Sequence, residues 1–436
     1  MDWFITNNNT YKKLQTNIKI NNHGKNYPII FIDGYVLPRQ KVFEKYCDLN
    51  QEDLIKTLYK QNRNEFIKYI KGIFIIIIFE EDGFRLITDR QGIKKYFSYQ
   101  SRDIFYISSS LELLANQFSL SLDFDKIAVF SLTSHFINGL TSFSNVKASM
   151  PGQLITYKGG EIKSEYYWKP GFLLENRKPK KNKFDYYSMA WENLIHNYIK
   201  YLKPKEIAVT MTGGNDSRMV LAALLPYKDS LHGFTYGNPC SCDVHIANLI
   251  RDKLNLRHTN YYVSNPTSAW FRHHSKQLIR YGNSLINIHR AHRKDAIEQD
   301  KKYHPNTEMI YTGLMGGEYI KEPIYNVTIP DLFYKLRNTN ESKAFVMIRN
   351  LLIRSGINLS EIRIRKVYDY LLEFLDLGKG FGIKEQKFIY TYYYYGCAHH
   401  SQDSNIFLRY IKYLVNPFMD VDFLEMIADY PGWYIN

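Results

Sequence analysis

Ala208-Val209-Thr210-Met211-Thr212-Gly213-Gly214-Asn215-Asp216-Ser217-Arg218 carries an apolar run into two glycines, an acid and a hydroxyl. Glu206 to Met211 has the length and content of a strand, and Met219 to Leu225 has the apolar spacing of a helix. Two adjacent glycines let backbone N–H groups turn toward an anion, since no Cβ blocks the approach. The N-terminus of the following helix adds partial positive charge at the same point. Met211, Thr212, Gly213, Gly214, Asn215 and Ser217 therefore form a candidate cradle for pyrophosphate. Asp216 would repel phosphate by itself, so its expected role is to hold a magnesium ion bridging the phosphates. A glycine pair before Asp-Ser can also simply N-cap a helix. The flanking strand and helix are the context that favours the cradle.

Outward from this loop, a helix is expected over Asp185 to Leu202 and a strand tip over Phe234 to Gly237. Val244 to Leu254 is amphipathic, with Val244, Ala247, Ile250 and Leu254 on one face. The order β-loop-α-β-α predicts a parallel sheet wrapped by helices. From about Thr267 onward helices should dominate, with the Tyr-rich Thr391 to Tyr395 in their packed core. The first half differs: Pro28 to Ile32, Gly72 to Phe79, Phe84 to Thr88, Ile104 to Ile107 and Gln153 to Tyr157 read as strands. Helical spacing over Gln51 to Tyr69 and Asp125 to Phe136 makes this an α+β layered unit. Polar, basic and proline-containing Leu173 to Phe184 is the expected boundary, with its charge concentrated at Arg177 to Lys183. The division is thus 1–172, a linker over 173–184, and 185–436.

A chain of 436 residues with 45% apolar content can bury two or three ordinary cores. Its four cysteines, Cys47, Cys240, Cys242 and Cys397, are too scattered for a disulfide framework and fit a reducing cytosol. The one-residue spacer of Cys240-Ser241-Cys242 matches neither zinc nor redox spacing. Met1-Asp2-Trp3 runs into an Asn-rich stretch instead of a signal peptide's apolar core, so a cytoplasmic location is expected. The block Ile75-Ile76-Ile77-Ile78 is too short to span a bilayer and reads as a buried strand. The net charge of +14 is spread along the chain, so neither nucleic acid nor membrane is expected as a partner. His273-His274, His289 with His292, and His399-His400 lack specific ligand spacing and read as surface or packing residues. Asp403, Arg409 and Arg218 read equally as substrate contacts and as solvated helix residues.

Several segments, taken in order, resemble the asparagine synthetase family of the N-type ATP pyrophosphatase (PP-loop) superfamily. Thr212 to Ser217 resembles its SGGxDS loop. Phe234-Thr235-Tyr236-Gly237 is similar to the strand that flanks adenine, and Asp243 to His258 to the stretch that follows. Thr312-Gly313-Leu314-Met315-Gly316-Gly317-Glu318 resembles G-x-G-x-D-E, and Asn416-Pro417-Phe418-Met419-Asp420 through Glu425 resembles P-F-L-D-x-x-F-V-E. In the first half, Lys71-Gly72-Ile73-Phe74, Asp89 to Phe97, Met150-Pro151-Gly152 and Tyr166-Tyr167-Trp168 are similar to the family's class II glutamine amidotransferase domain.

The resemblance implies an Ntn-hydrolase-like α+β sandwich followed by a Rossmann-like α/β ATPase domain. It further implies ATP and Mg2+ at Asp216 and Glu318, with Gly313 beside the phosphates and Phe234, Thr235 and Tyr236 beside adenine. The implied reaction is amide formation through an acyl adenylate, with aspartate as the default acid. Three positions depart from the pattern. Residue 2 is Asp2 where the glutaminase nucleophile is Cys, so an amine or separately supplied ammonia is expected, as in the family's β-lactam and lasso-peptide ring formers. Gly317 replaces a metal-holding Asp. The chain closes at Pro431 to Asn436, before the family's usual cationic residue. The alternatives are a tailoring ligase or cyclase acting on a uronic acid, peptide or small metabolite, and an inactive nucleotide-binding scaffold.

Overall fold

The structure, a computed structural model, describes residues 2–8, 13–18, 28–101, 104–175, 184–262, 266–283, 285–321 and 329–433. Its first half builds two antiparallel sheets. One runs in the order Lys13–Thr16, Phe4–Asn8, Ile104–Ser108, Phe97–Ser101, Val146–Ala148, and the other Glu161–Tyr166, Gln153–Lys158, Gly83–Thr88, Ile70–Glu80, Ile29–Pro38.

The isoleucine block shows how these layers stack. Side chains alternate across a strand: Ile75 and Ile77 pack with Trp3 and with Ile5 and Ile107 of the first sheet, whereas Phe74, Ile76 and Ile78 pack with Leu54, Ile55 and Leu58. The latter three lie on the helix Gln51–Asn62, whose start is capped by Asn50 accepting from the Asp53 N–H at 2.9 Å. Leu111 and Leu114 cover the outer face of the first sheet. Both faces of the Ile strand are therefore dry, which explains an unbroken apolar run in an antiparallel sheet. The result is an α/β/β/α sandwich.

Local signals misled at several points. The strand expected over 28–32 continues to Pro38, through Asp33-Gly34, a pair that reads as a turn. Gly34 (φ +117°) and Gly72 (φ +129°) instead bring the two backbones together, since a Cβ on Gly34 would lie 2.1 Å from the Ile73 carbonyl oxygen. The helix expected to Tyr69 tightens at Arg63, and the one expected to Phe136 stops at Thr133, with Ser134 left-handed at φ 60°. Polar strands such as Phe4–Asn8 and Glu161–Tyr166 went unread because pairing, not apolar alternation, holds them.

The second half carries a five-stranded parallel sheet in the order His258–Tyr262, Leu231–Gly237, Glu206–Thr210, Thr307–Tyr311, Tyr413–Val415. The chain is therefore α/β overall. The helix Phe184–Leu202 precedes this sheet, and Gly171–Glu175 forms a short helix before it. Residues 176–183, with the basic run and most of the linker expected over 173–184, lie outside the described residues. Of the Tyr-rich Thr391 to Tyr395, residues Thr391, Tyr392, Tyr393 and Tyr394 are buried, as expected of a packed core, and Tyr395 is half-buried. Among the described residues no helix is long and apolar enough to cross a membrane.

A buried ion cluster joins the halves. Lys71 meets Asp420 and Asp422 at 3.0 Å each, Arg39 Nε donates to Asp422 at 2.8 Å, and the Tyr198 hydroxyl donates to Asp420 at 2.6 Å. Burial alone would raise the Asp422 carboxyl; the Lys71 and Arg39 charges outweigh it and hold the group well below the usual carboxylate range.

Candidate functional site

The parallel sheet reverses its strand order between Glu206–Thr210 and Thr307–Tyr311. In open α/β sheets a ligand crevice lies outside the carboxyl ends of the strands at such a switch point. Both strands feed glycine-containing turns into that crevice. Glu206–Thr210 leads to the helix Asn215–Leu224, and Thr307–Tyr311 to the short helix Gly316–Ile320.

The first turn is tightly tied. Thr212 N–H and hydroxyl meet Ser217 Oγ at 3.2 and 3.0 Å, Gly214 N–H donates to Thr212 Oγ1 at 3.2 Å, and Gly213 N–H donates to Asp243 Oδ1 at 2.9 Å. Gly214 is the N-cap and offers no side chain to the helix N–H groups. Only Thr212 Oγ1, at 3.3 Å, stands near the Cβ that Gly214 lacks, so that face of the turn is open to an anion. A Cβ on Gly213 would stand 2.7 Å from Ile246 Cδ1, the movable end of a half-buried side chain on the helix Cys242–Leu254, and 3.3 Å from Asp243 Oδ1. The donors and the space fit a phosphate group, provided that it replaces Asp243 and Thr212 as acceptor.

The second turn closes onto the first. Gly317 N–H donates to Asp216 Oδ2 at 2.9 Å, and a Cβ on Gly316 would lie 2.5 Å from Asp216 Cγ. Gly313 is packed equally hard, since its Cβ would stand 2.7 Å from the Ser217 nitrogen. Glu318 is half-buried in the same short turn. A Cβ on Gly317 would sit 3.5 Å from Asp216 Oδ2, an ordinary contact. Position 317 is therefore where a second carboxylate would face Asp216, and this chain supplies a backbone N–H instead. A carboxylate accepts several bonds at once, so Asp216 keeps the capacity to hold a cation.

Of the three residues expected to flank adenine, Phe234 and Thr235 are buried. Phe234 is fully buried against Tyr261 and Phe407, and its carbonyl already accepts from the Met211 N–H at 2.9 Å. Met211 is itself buried. The Thr235 hydroxyl donates to the Met211 carbonyl at 2.7 Å and meets His258 Nε2 at 2.9 Å. Phe234 and Thr235 point to opposite faces of their strand, and both are buried because the helices Cys242–Leu254 and Ala291–Tyr303 pack against it. Tyr236 alone of the three is half-exposed, with its ring 5.8 Å from that of His292.

Beside Tyr236 the sheet's carboxyl edge carries a cluster of histidines, read from the sequence as surface or packing residues, around Asp403, which is buried and so is no solvated helix residue. The helix Ala291–Tyr303 starts there. Arg290 donates to Asp403 at 2.6 Å and meets His399 Nε2 at 2.7 Å; Arg293 also pairs with Asp403. His399 Nδ1 meets His135 Nε2, from the first half, at 2.6 Å, and Gln402 meets the other His135 nitrogen at 2.5 Å. Burial, then neighbouring positive groups, holds His135 down at about 4 and His400 at about 3, so these rings are neutral near pH 7. Two guanidinium groups then face one carboxylate, a surplus of positive charge. The signal in the sequence was Arg290 and Arg293, three apart among histidines, rather than the histidines themselves.

A cavity of about 330 Å³ lies between the halves, lined by Asp2, Lys94, Lys95, His135, Cys397 and Gln402 among others. Cys397 is the thiol on its wall, and burial pushes that thiol well above its ordinary range. A protonated thiol is a poor nucleophile.

Residues 41–168 match the family model for a glutamine amidotransferase domain. No curated protein matches the chain. Among solved structures, the NH3-dependent NAD synthetase from Campylobacter jejuni is similar at 14% identity, covering 46% of this chain and 99% of that one, with a TM-score of 0.26. The NMN synthetase from Francisella tularensis matches at 14%, covering 51% and 97%, with a TM-score of 0.24. The glutamine phosphoribosylpyrophosphate amidotransferase from B. subtilis matches at 11%, covering 84% and 86%, with a TM-score of 0.23. Likenesses this weak establish no activity for this chain.

Proposed function

We propose that this chain is an ATP-dependent carbon–nitrogen ligase of the asparagine synthetase type. Its Thr212 to Ser217 turn would take the pyrophosphate end of ATP, and Asp216, with Glu318 nearby, would hold Mg2+, which neutralises charge on the phosphates. A carboxylate, aspartate by default, is activated as its acyl adenylate, and ammonia or an amine attacks it. The observation that carries this reading is the locking of Asp216 onto the Gly316–Gly317 turn at the sheet's switch point. The positive surplus opens to solvent through Arg293, Arg290 being fully buried, and suits a carboxylate substrate awaiting activation. Holding both reactants at one edge lowers the barrier by orientation. The first half, with Asp2 at the cavity and a buried, protonated Cys397, is read as an amidotransferase-like unit that does not release ammonia from glutamine. On this reading the domains divide at 173–184.

The test is calorimetry of Mg-ATP with the wild type and Asp216→Ala, followed by pyrophosphate and AMP assays with aspartate and ammonia. Uptake lost in the variant and turnover with aspartate support the reading. Turnover with another acid alone moves the substrate to a tailoring reaction. An inactive scaffold has its own support in Gly317, and nucleotide uptake without turnover on any carboxylate would favour it.

A further inference from the structure

Lys94 and Lys95 are neighbours in the wall of the cavity between the halves, and their charges are met differently. Lys94 Nζ stands 2.6 Å from Asp33 Oδ1, so that charge is matched. Lys95 is half-buried, and among the described residues its ammonium makes no ion pair or hydrogen bond. Two acidic groups act on it through space, and neither pairs with it. Cys397 is a protonated thiol, held so by burial. Asp89 is fully buried and turned to the backbone, where the Gly92 and Phe74 N–H groups donate to it at 2.7 and 3.3 Å.

Burial therefore pulls the Lys95 pKa below its ordinary value. An ammonium kept from bulk water without a counter-charge is costly. The space beside it, about 330 Å³, is in the range of small-ligand pockets, so an anion there would remove the cost.

The wall also selects the anion. Lys94 and Asp33 cancel, and Asp2 and Arg409 are exposed, which leaves the single charge of Lys95 inside. One ammonium suits one carboxylate, whereas a phosphate dianion calls for several cations or a guanidinium fork. Asn405 adds a second contact. Its amide N–H groups go to the Ile93 and Ser401 carbonyls at 3.0 and 2.8 Å, and among the described residues its amide oxygen is left to accept from a hydroxyl. Leu140 and Ile286 give the cavity an apolar side for a short carbon chain.

We propose that this cavity binds a small hydroxy-monocarboxylate, its carboxylate on the Lys95 ammonium and its hydroxyl on Asn405. The cavity shares no wall residue with the Thr212 to Ser217 and Gly313 to Gly317 turns, so the site stands whether or not a nucleotide binds there. The experiment is calorimetric titration of the full chain with sodium lactate at constant ionic strength, with propionate, inorganic phosphate and L-glutamine for comparison. One saturable lactate site per chain is expected, with the other three bound less tightly. Lys95→Met keeps most of the side chain's bulk and removes its charge. It should weaken lactate uptake by roughly ten- to hundredfold, the worth of a charge-assisted hydrogen bond. Without lactate it should raise the melting temperature, because the unmatched ammonium is gone. Absence of saturable lactate uptake, uptake that Lys95→Met leaves intact, or a lower melting temperature in that variant would overturn the assignment. So would propionate, phosphate or glutamine bound as tightly as lactate.

Discussion

Gly316 and Gly317 are neighbours in the chain, and the structure gives their substitutions opposite outcomes. A methyl on Gly316 would stand 2.5 Å from Asp216 Cγ, so the two turns must part; overpacking of that kind costs about 1–3 kcal/mol. A methyl on Gly317 would stand 3.5 Å from Asp216 Oδ2 and needs no movement. Gly317→Asp goes further by bringing a second carboxylate to roughly 4–5 Å from the first. At an effective dielectric near 20, that repulsion is about 3–4 kcal/mol. Solvent at a half-buried site screens it to about 1 kcal/mol, a shift in melting temperature on the order of 1–2 °C. Mg2+ between the two carboxylates should reverse its sign. The assay is thermal unfolding of wild type, Gly316→Ala, Gly317→Ala and Gly317→Asp, each with chelator and with Mg2+. The expected pattern is a Mg2+-independent loss for Gly316→Ala, near-neutrality for Gly317→Ala, and a loss in Gly317→Asp that Mg2+ repairs. A Gly317→Asp loss that Mg2+ leaves untouched would refute the facing of position 317 and Asp216.

Lys71→Met should cost about 3–5 kcal/mol, because Asp420 and Asp422 stay buried with one cation fewer; urea unfolding measures it. Acid titration should show the same cluster: the depressed Asp422 contributes stability above its unfolded value of about 3.9 and loses it as pH falls toward the folded value. His135 and His400 act in a higher window. Their contribution is complete above about 6.5 and is lost as pH falls toward about 4 and about 3, so melting temperature should fall over that range, less steeply in His135→Gln. Gly213→Ala should change thermal stability little, since the half-buried Ile246 Cδ1 can swing aside, yet should weaken Mg-ATP uptake measured by calorimetry by crowding the turn beside Asp243 Oδ1.

Much of the architecture was readable in local patterns. The Ile75 to Ile78 block announced a strand dry on both faces, and the strand, glycine pair and helix around Gly213 announced a parallel sheet. What misled was also local. Asp33-Gly34 reads as a turn, yet the close approach of Gly72 makes it the middle of a strand. Phe234 reads as part of a nucleotide-facing strand end, and helices packed on the sheet cover its ring.

The sequence by itself determined the elements around the loop, the change from an α+β to an α/β pattern along the chain, and Asp216 and the glycines as candidates, because backbone freedom and apolar periodicity are properties of neighbouring residues. Only the tertiary structure decided which distant groups meet: Asp216 with Gly317, Lys71 with Asp420 and Asp422, and His135 with His399. Each of those contacts joins residues about a hundred or more positions apart, and the register that aligns them follows from how whole layers pack, which no local pattern encodes.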